Sequence, residues 1–390
     1  MDANILISTM LCLMMVSGCV AKENNQNDST EEINGVFARI RSHNFNPLND
    51  DQSMTKDHQL GVDGIADLNN KDWLVRLLAV RDLLKTGYVS PNELLTGLKD
   101  TSLHVRYLTA MALGILRAKE AIPELEVLLQ YDSITLVRSQ AAIALGQMES
   151  TPSLGILNKT LTEDPSRDVR HQCELAIYQI EHKSGVTEKL REAYLGLDEF
   201  TFKILKEGDV APDFTLEDTD GKEWKLSAQG DRNWVVLIWV FADWCPVCHG
   251  EFHDLMEMEE TLDSLGVQVF TLETHDTYRG RVMVGKELEP EYWFSKTPFK
   301  EAYTSRIFWP HLLDRAGAYG AKFGIDPMAF AVHAEYINRP ATVILDAEGK
   351  VRFSYMGTFW GDRPSIAQTL KMIETESFTF EHPQRRKIGQ

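Results

Sequence analysis

The sequence predicts a multidomain chain, an all-α solenoid of stacked helix pairs followed by an α/β domain, and three observations predict it. The chain has 390 residues, too long for one ordinary domain. Between 64 and 185 the dipeptide Val-Arg recurs at 75–76, 105–106, 137–138 and 169–170. From about 205 the helical period gives way to alternating and continuous apolar runs, the pattern of strands.

Residues 5–16, ILISTMLCLMMV, are an apolar run too short for a membrane span and of signal-peptide length. They lead into VSGC, with small residues before Cys19. Residues 1–19 resemble a bacterial lipoprotein-type signal peptide. The resemblance implies cleavage before Cys19, lipidation of its thiol, and an exported, membrane-anchored lipoprotein in the periplasm or at the cell surface. Asp2, with no Lys or Arg in MDAN, departs from the positive start usual in such signals. Residues 20–63, rich in Asn, Asp, Glu and Ser, read as a flexible linker.

Charge narrows the partners. The chain has 40 basic and 58 acidic residues, a formal net charge of −18, which excludes the basic footprint of a nucleic-acid binder. RRK at 385–387 reads as a solvated tail. Five cysteines are too few for a disulfide scaffold. Cys12 and Cys19 belong to the N-terminal apolar stretch and Cys173 to a helical pattern, leaving Cys245 and Cys248 as the close pair in the body of the chain.

In the repeat region Asp100, Asp132 and Asp164 each stand five residues before the repeated valine, and Ala-Leu-Gly recurs at 112–114 and 144–146. Apolar residues at three-and-four spacing make each unit a pair of amphipathic helices, which buries its apolar face by stacking on its neighbours. The D-x-x-x-x-V-R pattern over 64–185 resembles HEAT-like repeats, a family that offers surfaces to protein partners. Bracing of the next domain is the other reading, and the sequence weighs them equally.

The second domain spans 205–378. GDVAPDFTLEDTDGKEWKL (208–226) has an Asp-Gly hairpin signal, and NWVVLIWVFA (233–242) is a continuous apolar run, expected of a central strand covered on both faces. WCPVC follows, then a helical pattern to Gly266, a strand at 267–274, an insertion at 275–339, a strand–turn–strand at 340–357 and a helix at 364–376. This order resembles the thioredoxin-like fold, so the whole chain reads as an all-α HEAT-like solenoid followed by an α/β thioredoxin-like fold. APDFTLEDTDGK narrows the resemblance to the redoxin branch, which includes alkyl hydroperoxide reductase–thiol-specific antioxidant and thiol-disulfide oxidoreductase relatives.

Cysteines at i and i+3 at a helix start lie close enough to join, with the first expected to be exposed and the second sheltered. The N-terminal N–H groups and partial positive charge favour thiolate. Pro246 and Val247 add little polar help, so the helix terminus is expected to dominate. A zinc site needs four ligands, and His249 and His253 on the adjoining helix would surround a metal poorly. No metal or organic cofactor is expected; the redox group is a Cys245–Cys248 disulfide.

The resemblance also implies roles. Pro340 corresponds to the thioredoxin-like cis proline facing the cysteine sulfurs, with Arg339 bordering the site and Trp244 and Pro246 framing it. Read as a thioredoxin-like motif, Cys245 attacks and Cys248 resolves. Read against peroxiredoxins, PVCHGE makes Cys248 the peroxidatic cysteine and places Arg363 beside the peroxide. Cys245 then stands where that family has threonine, and Phe241 where it has proline.

The favoured expectation is an extracytoplasmic thiol-disulfide oxidoreductase acting on protein thiols or disulfides, or on a small disulfide, and reset by a separate thiol reductant. Alternatives are a thiol-dependent peroxidase and a HEAT-repeat interaction scaffold with a dispensable redox domain. The aromatic-rich insertion at 275–339 reads either as extra core or as a lid over Cys245.

Overall fold

The computed structural model describes residues 64–85, 89–184, 187–197, 204–287, 307–357 and 362–380. The signal, the linker, Cys19 and the basic tail at 385–387 lie outside the described residues. No helix among the described residues is long and apolar enough to cross a membrane.

The repeat region comprises α1 (Trp73–Leu83), α2 (Pro91–Gly97), α3 (Leu103–Ile115), α4 (Ile122–Tyr131), α5 (Thr135–Gln147), α6 (Leu154–Glu163), α7 (Arg167–His182) and α8 (Thr187–Leu195). The repeated sequence marks have direct structural causes. In α3 and α5, Val105 and Val137 point into the core while the adjacent arginines reach the next repeat. Arg106 donates to Asp132 at 2.7 and 3.1 Å, and Arg138 donates to Asp164 at 2.9 and 3.2 Å. Each aspartate also accepts a backbone N–H two residues on, Ile134 and Ser166, so one carboxylate orders its own turn and ties down the preceding repeat. The repeated glycines set helix spacing: a Cβ on Gly146 would lie 2.8 Å from Ala176 Cα, and one on Gly114 2.9 Å from Ala144 Cα.

The second domain adds nine strands and five helices among the described residues. A hairpin of β1 (Thr215–Glu217) and β2 (Glu223–Lys225) precedes the central strand β3 (Trp234–Trp239), which ends in the loop to α9 (Pro246–Glu257). Then come α10 (Glu259–Leu265), β4 (Val267–Glu273), α11 (Thr277–Met283), β5 (His311–Leu313), α12 (Ala318–Lys322), β6 (Phe330–Val332) and β7 (Glu335–Ile337). β8 (Ala341–Asp346), β9 (Val351–Met356) and α13 (Ile366–Thr375) complete the domain. The sheet order is β5-β4-β3-β8-β9, with β3, β4 and β5 parallel and β8 and β9 antiparallel. β3 is covered on both faces, as its apolar run requires: Val236 and Ile238 face α9 and α13, while Leu237 and Trp239 pack on the Phe270 side.

The span at 275–339 is not only an insertion. Its HLL segment supplies the edge strand β5, a three-residue pairing with Thr271–Glu273 that periodicity over so short a run could not reveal. The aromatic stretch at 288–306 lies outside the described residues. The repeats pack against the second domain. Gln179 donates to Asp276 (2.9 Å), Lys189 pairs with Glu217 (2.6 Å), Tyr178 packs on Tyr278, and Met328, Ala318 and Ala321 are buried in the repeat-region core.

Candidate active site

The loop from β3 delivers Cys245 as the N-cap of α9 and Cys248 one turn in, both as free thiols. Pro246, at the first position of the helix, is exposed. Proline suits that place because its missing N–H would have no intrahelical partner there. Both sulfurs are fully buried. The expectation of an exposed Cys245 is therefore corrected: Phe241, Trp244 and the strands of the 330–337 hairpin join the apolar cluster that holds both cysteines.

The two thiols differ electrostatically. Burial pushes the Cys245 thiol well up, and the hydrogen bond it gives to Cys248 raises it further. Burial also opposes ionisation of Cys248, but the Cys245 thiol, the Arg363 guanidinium and the N–H groups of Phe241 and Ala242 outweigh it. Together they bring Cys248 down to about 6. Phe241 N–H reaches Cys248 Sγ at 3.2 Å and Arg363 Nη2 reaches it at 3.7 Å. The groups that favour the Cys248 thiolate are the Cys245 thiol at the N-cap of α9, then Arg363, before α13, and the N–H groups of the preceding loop.

Arg363 is held in place. Its Nη1 donates to Trp239 O at 2.6 Å, and its Nη2 donates to Glu251 Oε2, one turn beyond Cys248. Its Nε is buried with no hydrogen-bond partner among the described residues. Burial lifts Glu251 to about 8 against the pull of Arg363, and the neighbouring Cys248 thiolate adds to the rise. One guanidinium thus serves two acids, and the carboxyl is the one that keeps its proton near neutrality.

A second polar cluster anchors the residues just before the dithiol. Arg279 bridges Asp243 (2.7 Å) and Glu335 (2.5 Å), and Glu335 Oε1 accepts from Trp244 Nε1 at 3.0 Å. His275 donates to Glu273, as does His311 from the adjoining strand, at 2.8 and 2.9 Å. These contacts hold Glu273 down to about 2 against burial. Against burial and Arg279, Glu335 and Glu273 carry His275 up to about 10. Asp243, Glu273 and His275 bring ligand atoms within 4.8 Å of one another. Arg279 already neutralises Asp243, and imidazoles already occupy Glu273, so the set reads as an ion-pair network rather than a metal cage. His249 donates to Asp243 O at 2.6 Å, away from any shared ligation with the cysteines.

The remaining expected residues are placed as follows. Among the described residues no peptide bond is cis, so Pro340 opens β8 in the trans form, correcting the cis expectation. Its carbonyl accepts from Gly357 N–H at 2.7 Å, pairing β8 with the end of β9. Arg339 donates to Gly357 O at 2.8 Å and its guanidinium lies over the Phe330 ring. Sequence reasoning missed Asp243, Arg279 and Glu335, which share no spacing and meet only through the fold.

Residues 208–354 match the AhpC/TSA family and residues 91–177 match HEAT repeats. Residues 208–354 are a redoxin domain. The thiol-disulfide oxidoreductase ResA of Geobacillus thermodenitrificans is 26% identical over 167 residues, covering 43% of this chain and 78% of that protein. Alkyl hydroperoxide reductase E of Mycobacterium tuberculosis is 28% identical over 153 residues, covering 39% of this chain and 86% of that protein. Among solved structures, peroxidoxin BcpB of M. tuberculosis aligns with a TM-score of 0.34 at 20% identity, covering 44% of this chain and 97% of that one. A peroxiredoxin-like protein from Aquifex aeolicus gives the same score and identity over 88% of its length. These relatives are named for thiol-disulfide exchange and for hydroperoxide reduction.

Proposed function

We propose that the redoxin domain reduces hydroperoxides, with Cys248 as the attacking thiolate and Cys245 as the resolving thiol. The observation that carries this reading is the environment of Cys248: it alone of the pair is held as thiolate, with Arg363 at 3.7 Å. Arg363 Nε, without a partner among the described residues, offers a preorganised donor for a substrate oxygen. Complete burial of both sulfurs favours a small oxidant over a protein disulfide.

In the first step the Cys248 sulfur attacks the near oxygen of ROOH. The O–O bond breaks, Cys248 becomes a sulfenic acid, and the departing RO⁻ takes a proton to leave as ROH. Glu251, which shares the Arg363 guanidinium with Cys248 and is protonated below about 8, would supply that proton. In the second step the Cys245 sulfur displaces the sulfenic hydroxyl, which leaves as water with the Cys245 proton, and the Cys245–Cys248 disulfide closes. A separate dithiol returns the pair to the reduced state by two exchange steps and is itself oxidised to a disulfide. No other cofactor enters the scheme.

Stopped-flow tryptophan fluorescence of the reduced protein mixed with hydrogen peroxide tests this order. Fast oxidation that persists in Cys245→Ser and disappears in Cys248→Ser is expected. Slow peroxide reaction, with exchange against a small disulfide that requires Cys245, would favour the second reading, thiol-disulfide exchange. That reading draws support from the i, i+3 dithiol itself.

We also propose export and lipid anchoring at Cys19, resting on residues 5–19. Fatty-acid labelling in the producing cell, lost in Cys19→Ser, is the expected result; an unlabelled protein with an intact N-terminus contradicts it.

A further inference from the structure

Strands β6 and β7 form a tight hairpin wedged between the dithiol and the repeats. Its pairs are Phe330 with Ile337, Ala331 with Tyr336 and Val332 with Glu335, leaving His333 and Ala334 as the two turn residues. Directly paired residues share a face, so Phe330, Val332, Glu335 and Ile337 lie on one side and Ala331 and Tyr336 on the other.

The first face closes over the redox site. Phe330 packs on Phe241 with ring centroids 5.5 Å apart, Glu335 accepts from Trp244, and Ile337 is fully buried in the cluster that contains both cysteines. The turn residue His333 sits edge-on to Trp244 at 4.6 Å. The second face meets the repeats. Tyr336 Oη bonds His104 Nδ1 at 2.9 Å, and its ring packs edge-on to Tyr107 at 4.8 Å, both on α3. At the hairpin tip, His333 lies 3.5 Å from Asp168 on α7.

The hairpin is not at rest by local preference. His333 and Ala334 have φ of 51° and 54°. A two-residue turn of this kind favours Asn-Gly, and each L-residue with a side chain there costs roughly 1 kcal/mol. Contacts on both faces hold the turn in a conformation its own residues disfavour.

We propose that the β6–β7 hairpin is a lid over the dithiol, held shut by the repeat region, that admits small oxidants and excludes bulky thiol partners until it lifts. The inference rests on the dithiol being the redox centre, and not on which cysteine attacks. It gives the HEAT-like repeats a role beyond bracing: whatever shifts α3 against Tyr336 sets access for the reductant.

The test uses the reduced full-length chain, with labelling of Cys245 and Cys248 read peptide by peptide by mass spectrometry. N-ethylmaleimide serves as the small probe and a polyethylene-glycol maleimide as the large one, with the hydrogen peroxide reaction followed in parallel. In the wild type the large probe is expected to lag far behind the small one. Tyr336→Ala should raise the large-probe rate about tenfold, the shift expected when the closed state loses this anchoring contact and an open state of about one per cent rises to about ten per cent. It should leave the peroxide rate unchanged. His104→Ala and Tyr336→Phe, milder changes at the same contact, should move the ratio in the same direction if Tyr336→Ala fails to fold. Equal labelling by both probes in the wild type, or a ratio unmoved in folded variants, overturns the lid. A gated large probe with an inert peroxide reaction supports the lid and removes the hydroperoxide reading.

Discussion

Both halves of the molecule bury arginine–carboxylate pairs, and they use them differently. In the repeats, Arg138 spends its donors on structure: two bonds to Asp164 and one from Nη1 to Asp132 O at 2.9 Å. In the redoxin domain, Arg363 anchors through Nη1, divides Nη2 between Glu251 and Cys248, and leaves Nε without a partner among the described residues. The first arrangement is satisfied. The second is under-satisfied, and the adjacent groups titrate far from their ordinary ranges, Cys248 lower and Glu251 higher. An arginine held in reserve beside a shifted thiol distinguishes a reactive site from a scaffold better than burial does, since both pairs are buried.

The largest effect should come from the thiol. Cys248→Ser is expected to lower peroxide turnover on the order of 10⁴-fold or more, measured as peroxide consumption with excess dithiol. Its melting temperature should stay near that of the wild type. Arg138→Ala should act in the opposite way. Removing one partner of a buried pair costs about 3–5 kcal/mol, to be read by denaturant unfolding, while peroxide oxidation of the remaining folded protein keeps its rate.

Arg363→Ala joins the two behaviours. Loss of an opposite charge within reach should raise the Cys248 pKa by about 1–3 units and slow oxidation at neutral pH roughly tenfold or more. The wild-type rate should rise with pH through about 6 as Cys248 ionises and fall through about 8 as Glu251 gives up its proton. Glu251→Gln should remove the upper limb and keep the lower. The smallest effect is expected at Ser90→Ala, which opens the capping box of α2 and costs ~1 kcal/mol without touching the redox chemistry.

The two regions were also legible to different degrees. The repeats announce themselves because each structural unit reuses the same residues, and the 32-residue return of Asp, Val-Arg and Ala-Leu-Gly maps onto the inter-repeat ion pairs and close helix contacts. β3, β8 and α13 were readable from local apolar pattern. β5 was not, because three residues carry no period and its pairing with β4 is long-range. The WCPVC pair was visible, but the apolar cluster around Cys245 also draws in Phe330, Val332 and Ile337, some 90 positions away. Arg363 was found through a family resemblance. Arg279 and Glu335 had no such guide, since their link to Asp243 and Trp244 exists only once the hairpin is folded back.

The most direct test of the account is a titration of thiolate absorbance in the ultraviolet, made on the reduced protein and on Cys245→Ser and Cys248→Ser. The account predicts a step near pH 6 in the wild type that vanishes in Cys248→Ser and survives in Cys245→Ser, shifted upward by the loss of one hydrogen bond. A low-pH step that persists in Cys248→Ser and vanishes in Cys245→Ser would contradict it, and would make Cys245 the nucleophile.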